Sequence, residues 1–324
     1  MARPRRVLPG RTYLVTRRCS ERRYFLKPSP LVTRIFTYCL AVAAARFGVL
    51  LHACTVMSNH HHIVLTDVHG VLPRFCHLLH SLVARITNFK YGRFESFWDP
   101  YSYSAVLLEN PEDIIDKMGY VLANPVAAGL VKKGTDWPGF ITTPKMLLGR
   151  PGQGITCERP EGFFVEGTPM PEKIELRFCC PPQLEEAMGK EAAAEALQAR
   201  RMQKEEQARQ RAAELGIPFL GRKRVVQQNP YAAPSTDAKR FQLSPNIACK
   251  CRWKRLELIE EQEEWYEDYE TARRAFAAGR RSVLFPEGTW GPVVTYGARA
   301  KPPGTSPPDR PPGLPPDLPP PRAA

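Results

Sequence analysis

Apolar residues in the first 123 positions follow two alternating spacings, and the order of these spacings restricts the fold. Strand-like segments are rich in β-branched and aromatic residues, whereas in helix-like segments apolar residues recur every three or four positions. Strands are predicted at 12–18, at 50–67 (one strand or a bent pair) and at 103–108. Helices are predicted at 29–47, 72–89 and 110–123.

The resulting order is β-α-β-β-α-β followed by a helix. This order predicts an α+β domain of the ferredoxin-like, split βαβ kind, in which an antiparallel sheet carries helices on one face. Asn110 and Pro111 suit the start of the last helix. Pro125 is expected to stop it, because proline lacks the amide proton that a helix interior needs.

Composition divides the chain into four parts. Residues 1–147 hold the alternating pattern and form the predicted domain. Residues 148–183 are rich in glycine and proline and indicate a linker, whereas 184–296 predict a mostly helical accessory region. Residues 297–324 contain 11 of the 33 prolines, which predicts a disordered tail.

The net charge of +13 is concentrated in the N-terminal half. Residues 1–150 contain 20 lysines and arginines and 9 acidic residues, a net of +11. This excess indicates a polyanionic partner whose binding depends on salt. The arginines expected to contact phosphates are Arg3, Arg5, Arg6, Arg11, Arg17 and Arg18. The aromatic residues that either stack on unpaired bases or belong to the core are Tyr13, Tyr24, Phe25 and Trp98.

The apolar stretch 38–57 has the length of a membrane span but not its uniformity. Arg46, Gly48 and His52 interrupt it, and its helical spacing changes to a strand pattern midway, so we expect no membrane segment. The N-terminus shows no secretory pattern. Nine cysteines at irregular spacing favour a reducing compartment, and the expected location is the cytoplasm.

All seven histidines lie between His52 and His80. His60 and His62 are two positions apart in a predicted strand, so their side chains share one face and can bind one divalent metal. His61 points to the opposite face, where packing or a hydrogen bond is expected. The histidines expected to be structural are His52, His69, His77 and His80.

Tyr120 and Asn124 are four positions apart on the last predicted helix and therefore share a face. Asn124 can supply a neutral amide oxygen as a third metal ligand. A metal that neutralises a DNA phosphate and a phenol that attacks phosphorus would together form a covalent phosphotyrosine, which stores the energy of the broken bond for rejoining. Tyr101 and Tyr103 are alternative nucleophiles but lie on the approach to a strand.

Two cysteine pairs are weaker candidates for a metal site. Cys249 and Cys251 have the form of half a zinc site, but no second pair stands at a suitable spacing. Cys179 and Cys180 are adjacent and cannot readily share one metal.

Five motifs in a fixed order resemble one known family. They are Arg3-Pro4-Arg5-Arg6 before the first strand, 56–62 with its three histidines, Phe97-Trp98-Asp99, 120–131, and Asp136-Trp137-Pro138. As an ordered set over about residues 1–140, they resemble the single-tyrosine HUH transposases of the insertion-sequence-200 group, most closely the REP-associated tyrosine transposases of bacteria. His61 departs from the family, which usually has a large apolar residue there.

The resemblance implies a function and a set of roles. His60, His62 and Asn124 would bind Mg²⁺ or Mn²⁺, and Tyr120 would be the nucleophile. The implied substrate is single-stranded DNA, often folded into a hairpin, which the enzyme cleaves and rejoins in the bacterial cytoplasm. The family includes monomers and obligate homodimers with the tyrosine in trans, so both states stay open.

Two other functions remain compatible with the residues. One is a catalytically silent, domesticated protein that binds hairpin DNA. The other is a metal-dependent nuclease, or an RNA-binding protein of the same fold, that would use water in place of tyrosine.

Overall fold

A computed structural model describes residues 4–100, 103–165, 167, 169–235 and 246–302. The strands are β1 Arg11–Arg18, β2 Leu50–Val56, β3 His60–Asp67, β4 Ser104–Leu108, β5 Ile155–Glu158, β6 Lys173–Leu176, β7 Ile247–Ala248, β8 Leu284–Phe285 and β9 Arg299–Ala300. The α-helices are α1 Pro30–Phe47, α2 Leu72–Tyr91, α3 Pro111–Ala127, α4 Pro182–Met188, α5 Lys190–Glu214, α6 Arg222–Val226, α7 Arg252–Ala277 and α8 Gly291–Tyr296. Short 3-10 helices cover Ser20–Arg22, Gly134–Asp136 and Pro144–Leu148.

The central sheet has five strands in the order β2-β3-β1-β4-β7. The pairs β2–β3, β3–β1 and β1–β4 are antiparallel, and β7 joins β4 in parallel. The α+β class and the predicted order of the first seven elements are confirmed, with 50–67 forming a pair of strands rather than one. The added strand β7 was not predicted.

Helices cover both faces of this sheet, so the expectation of helices on one face only is wrong. Val15 and Ile63 pack in one buried cluster with α1 and α2. Leu14 and Val64, whose side chains point the other way, pack in a second cluster with α3 and α5. The strands are apolar on both sides, and each apolar face must be buried against a helix.

Helix α3 continues through Pro125 to Ala127, which corrects the expected stop. Proline at this position removes the amide that would bond to the carbonyl of Val121. The hydroxyl of Thr55 on β2 donates to that carbonyl at 2.8 Å, so the oxygen keeps a partner. This cross-contact holds Asn124 on the regular helix, one turn beyond Tyr120.

The segment 148–183 packs on the body of the protein and does not merely connect two parts. Strands β5 and β6 form an antiparallel pair, and Cys157, Leu176 and Phe178 belong to the buried cluster of α1 and α2. The hydroxyl of Tyr38 on α1 donates to the carbonyl of Pro171 at 2.6 Å. The expectation of a linker therefore fails because this segment buries its own apolar residues.

Helix α5 lies against α3, although its sequence predicted a solvated helix. Ala193 and Leu197 are buried in the cluster that contains α3. Lys204 pairs with Asp116 on α3 at 2.9 Å, and the buried Glu205 accepts from the amide of Gly134 at 3.2 Å. Small and charged residues thus make this contact, and they leave little apolar periodicity in the sequence.

Gly119 on α3 faces Arg200 of α5, and an added Cβ would stand 2.5 Å from Cγ of Arg200. We expect Gly119→Ala to lower the free energy of unfolding by about 1–3 kcal/mol through overpacking. Helix propensity alone predicts the opposite sign, a gain of roughly 1 kcal/mol. Urea unfolding measures this change. Gly129→Ala is not a suitable control, because the φ of 68° at Gly129 would add a separate backbone strain.

The remaining C-terminal elements form a small cluster of their own. Phe285 on β8 is fully buried, and its ring packs at steep angles against the rings of Tyr269 and Phe276 of α7. The predicted tail falls largely within 303–324, which lies outside the described residues. Among the helices described, α1 has the length and composition to cross a membrane, and 56% of that stretch is buried inside the protein.

Candidate active site

His60 and His62 stand at the start of β3 with their rings together. The ring centroids are 4.8 Å apart and the ring planes are nearly perpendicular. In the β1–β3 register, His60 lies opposite Arg18 and His62 opposite Thr16. The pairing across the sheet therefore fixes the neighbours of both imidazoles.

Hydrogen bonds fix the tautomer of both histidines. Nδ1 of His60 lies 2.7 Å from the amide oxygen of Asn59, which can only accept, so this nitrogen carries the proton. The amide nitrogen of Asn124 donates to Nε2 of His62 at 3.2 Å, so Nδ1 of His62 donates to the Thr16 hydroxyl at 2.8 Å. Both Nε2 atoms are therefore unprotonated, as metal-binding histidines require, and the lone pair of His62 accepts the Asn124 amide proton.

Burial keeps both imidazoles neutral. It lowers the pKa of His60 from 6.5 to about 4, with a smaller effect from the positive charge of Arg18. The pKa of His62 is lowered well below its usual value, first by burial and then by the neighbouring His60. Neutral imidazoles at ordinary pH are available as ligands without first losing a proton.

Helix α3 brings Tyr120 and Asn124 to this pair. The Tyr120 ring meets the His62 ring edge-on at 5.4 Å between centroids. Asn124 is buried, whereas Tyr120 remains 39% exposed. The amide is therefore held against the histidines while the tyrosine stays open to a substrate.

The donor set fits a divalent metal. Rotation of the Asn124 amide would turn its oxygen towards Nε2 of His62, so two imidazoles and one amide oxygen would converge. Within the described residues, no group of three or more His, Cys, Asp or Glu side chains could hold a metal instead. All three donors are neutral, and a metal bound here would keep its charge for an anionic ligand.

His61 points to the other face of the sheet, as its position predicted. It is fully buried, and its Nε2 lies 3.0 Å from Nε2 of His80. His80 also accepts from Arg17 at 3.2 Å, and Trp98 donates to the His80 carbonyl at 2.8 Å. This pair belongs to the core and supplies no ligand to the site.

Several N-terminal arginines make internal contacts. Arg11 pairs with Glu109 at 2.7 Å, and Arg6 pairs with Glu287. Arg5 lies over the ring of Tyr103 at 3.8 Å. Their contact with phosphates stays a prediction.

Arg17 and Arg18 differ in exposure although they are neighbours. Arg17 lies half-buried over Trp98, 5.6 Å from the ring centroid. Arg18 is exposed beside His60 and is better placed to reach a phosphate. Arg3 lies outside the described residues.

Most of the aromatic residues considered for base stacking are buried. Tyr13, Phe25 and Trp98 are each less than 10% exposed, which makes them core residues. Tyr103, an alternative nucleophile, is also buried, and burial raises its pKa. Tyr101 lies outside the described residues.

The site contains two residues that the sequence analysis missed. Thr16 and Asn59 hold the Nδ1 atoms of the two histidines. Asn59 is adjacent to His60 in sequence, and its position before a ligand could have suggested this role. Thr16 could be found only from the β1–β3 register, which the sequence does not give.

We expect His52 to make the stability of the protein sensitive to acid. It is buried on β2, where its Nδ1 donates to the Cys179 carbonyl at 2.9 Å and its Nε2 accepts from the Thr66 hydroxyl at 2.8 Å. Burial lowers its pKa from 6.5 to about 4. The unfolded chain therefore binds a proton between about pH 6.5 and 4 that the folded chain excludes, and stability falls with pH by up to about 1.4 kcal/mol per pH unit.

Urea unfolding from pH 7 to pH 4 checks this expectation. His61 and His80 shift in the same direction, so the parent protein should lose stability steeply. His52→Gln should lose less over the same range, whereas the exposed His77→Gln should behave as the parent. Equal slopes for the parent and His52→Gln would contradict the expectation.

Two solved structures are similar to part of this chain. One is a REP-associated tyrosine transposase bound to a REP hairpin, with 20% identity and a TM-score of 0.37 over 43% of this chain and 81% of that chain. The other is a protein of Deinococcus radiodurans R1 assigned as a transposase, with 22% identity and a TM-score of 0.26 over 33% and 85%. No protein-family model and no curated protein matches the chain. The functional assignment therefore rests on the site itself.

Proposed function

We propose that this protein is a metal-dependent DNA strand transferase that uses Tyr120 as its nucleophile. One observation carries the proposal. The exposed Tyr120 hydroxyl-bearing ring lies against His62, and Asn124, one helical turn away, bonds to the Nε2 atom that would bind a metal. A phenol beside two neutral imidazoles and an amide is suited to attack on a phosphodiester.

The proposed reaction replaces one bond to phosphorus with another. The Tyr120 oxygen forms a bond to phosphorus, and the bond from phosphorus to the leaving sugar oxygen breaks. The phenol proton passes to solvent, and the leaving oxygen gains a proton to become a free hydroxyl end. The phosphotyrosine keeps the energy of the broken bond, so a second hydroxyl can displace the tyrosine without ATP.

Charge supports a nucleic-acid substrate at this site. His60, His62 and Asn124 are all neutral, and the exposed Arg18 adds positive charge beside them. A bound Mg²⁺ or Mn²⁺ would neutralise the phosphate oxygens as charge develops on them. The negative charge of a phosphodiester would complement the positive charges of Arg18 and of the bound metal.

A single-stranded or hairpin DNA is the proposed substrate, and the five-stranded sheet is the scaffold of the site. The tyrosine helix packs on the sheet of its own chain, with Asn124 bonded to His62. This arrangement supports action in cis, with the site complete in one chain.

The test is a covalent adduct between protein and DNA. The full chain is incubated with labelled single-stranded and hairpin DNA from the flanks of its gene, with Mn²⁺ or with EDTA, and separated on a denaturing gel. We expect a slower protein band carrying the label with Mn²⁺ alone. Binding without any adduct would favour a silent hairpin-binding protein, and cut DNA without an adduct would favour a nuclease that uses water.

A further inference from the structure

Residues 217–235 of the C-terminal region lie across the end of the candidate active site. The amides of Leu220 and Gly221 donate to the carbonyls of Gly129 and Leu130, just beyond α3, each at 2.9 Å. Further along, Gln228 bonds to the hydroxyl of Ser58 at 2.7 Å, two residues before His60. The 217–235 segment therefore joins the helix that carries the tyrosine to the strand that carries the histidines.

A buried residue fixes α6 at this place. Val225 packs in a cluster with Met57, which precedes the histidines, and with Val126, which follows Asn124 by two positions. Lys27 also donates to the carbonyl of Val226 at 3.3 Å. Helix α6 is therefore part of the protein surface beside the site.

The exposed side of α6 is strongly basic. Arg222, Lys223 and Arg224 are all exposed and make no ion pair with another described residue. The 217–235 segment contains no aspartate or glutamate. Lys132 and Lys133 follow the carbonyl of Leu130 that binds this segment, and both are exposed, with Asp136 as the acidic residue of that loop.

This surface contrasts with the N-terminal arginines. Arg6 and Arg11 pair with glutamates, and Arg17 lies half-buried against His80. A cation already paired with a carboxylate has less attraction left for a phosphate. Helix α6, outside the predicted domain 1–147, thus adds unpaired positive charge to that of the exposed Arg18, Lys132 and Lys133 within it.

We propose that Arg222, Lys223 and Arg224, with Lys132 and Lys133, bind the backbone phosphates of the DNA that occupies the active site. This inference rests on the proposed function for the identity of the polyanion. Cations of this kind contact phosphates and fix the position of the strand without reading its sequence. The 217–235 segment would hold the DNA next to Tyr120.

The test compares three versions of the full chain with the parent. The first is Arg222→Gln with Lys223→Gln and Arg224→Gln. The second is a matched control, Arg255→Gln with Arg280→Gln and Arg299→Gln, which removes the same charge from exposed positions that form no ion pair with another described residue. The third keeps the charge, as Arg222→Lys with Lys223→Arg and Arg224→Lys, and reports whether the local structure tolerates substitution.

Binding of a fluorescein-labelled hairpin with single-stranded flanks is measured by anisotropy in EDTA over a series of KCl concentrations. We expect the first variant to bind at least about tenfold more weakly at low salt, with the slope of log K against log salt reduced by about 2 to 3. The control and the charge-keeping variant should behave as the parent. An unchanged slope in the first variant, or an equal loss in the control, overturns the inference.

The outcomes separate this inference from the proposed function. Normal binding by the first variant, together with a Tyr120-dependent adduct in the parent, removes the inference alone. If DNA binding depends on these charges but no adduct forms, the proposed strand transfer is contradicted and the phosphate-binding surface is supported. The inference is overturned if the parent binds no DNA. It is also overturned if the first variant loses affinity only for the RNA form of the hairpin.

Discussion

Tyr120→Phe is expected to abolish the covalent adduct and to leave hairpin binding within about twofold of the parent. The change removes the oxygen of the proposed nucleophile but keeps the ring that lies edge-on against His62. Loss of a catalytic nucleophile lowers the rate on the order of 10⁴-fold or more. The adduct is followed on a denaturing gel with Mn²⁺, and binding is followed by anisotropy in EDTA.

Tyr296→Phe is the control for this change. Tyr296 is 71% exposed at the end of α8, outside the candidate site and the 217–235 segment. This variant should form the adduct at the parent rate. An adduct that persists in Tyr120→Phe would show that Tyr120 is not the nucleophile.

The order of the first seven elements could be predicted because it follows from local patterns. β-branched runs and helical spacing depend only on neighbouring residues, and glycine or proline marks the breaks between them. The location of His60 and His62 on one face of the sheet, opposite to His61, follows from the two-residue repeat of a strand. These parts of the fold and site need no knowledge of distant contacts.

The features that could not be predicted depend on residues far apart in sequence. Pro125 stays inside α3 because Thr55 satisfies the carbonyl of Val121, a contact across 66 positions. Strand β7 joins the sheet from residue 247 with two residues, too few to show a pattern. Helix α5 packs on α3 at Gly119, and a single glycine in a sequence does not reveal which distant residue packs against it.

The charge of the N-terminal half was interpreted as one surface, and the structure divides it. Four of the predicted arginines have acidic or aromatic partners from other parts of the chain. Arg6 and Arg11 pair with Glu287 and Glu109, and Arg5 and Arg17 lie over the rings of Tyr103 and Trp98. A charge count cannot reveal these partners. The exposed basic residues of α6 are hidden in the same count, because 151–324 is nearly neutral as a whole.

His60→Ala and His62→Ala are each expected to weaken Mn²⁺ binding by at least about 100-fold. Removal of an outer residue that only orients a ligand already costs about 10–100-fold, and loss of the ligand itself should cost more. Thr16→Val and Asn59→Ala, which remove the acceptors of the Nδ1 protons, should fall in that intermediate range. Isothermal titration with Mn²⁺ measures all four variants.

The order of these effects distinguishes a metal site from a merely structural histidine pair. Mn²⁺ should raise the melting temperature of the parent, because it binds the folded chain in preference to the unfolded one, and EDTA should remove that rise. His60→Ala and His62→Ala should melt at the same temperature with and without Mn²⁺, while the exposed His77→Ala keeps the full rise. If His77→Ala loses the rise as completely as His62→Ala, or if neither ligand variant loses it, the pair does not bind the metal.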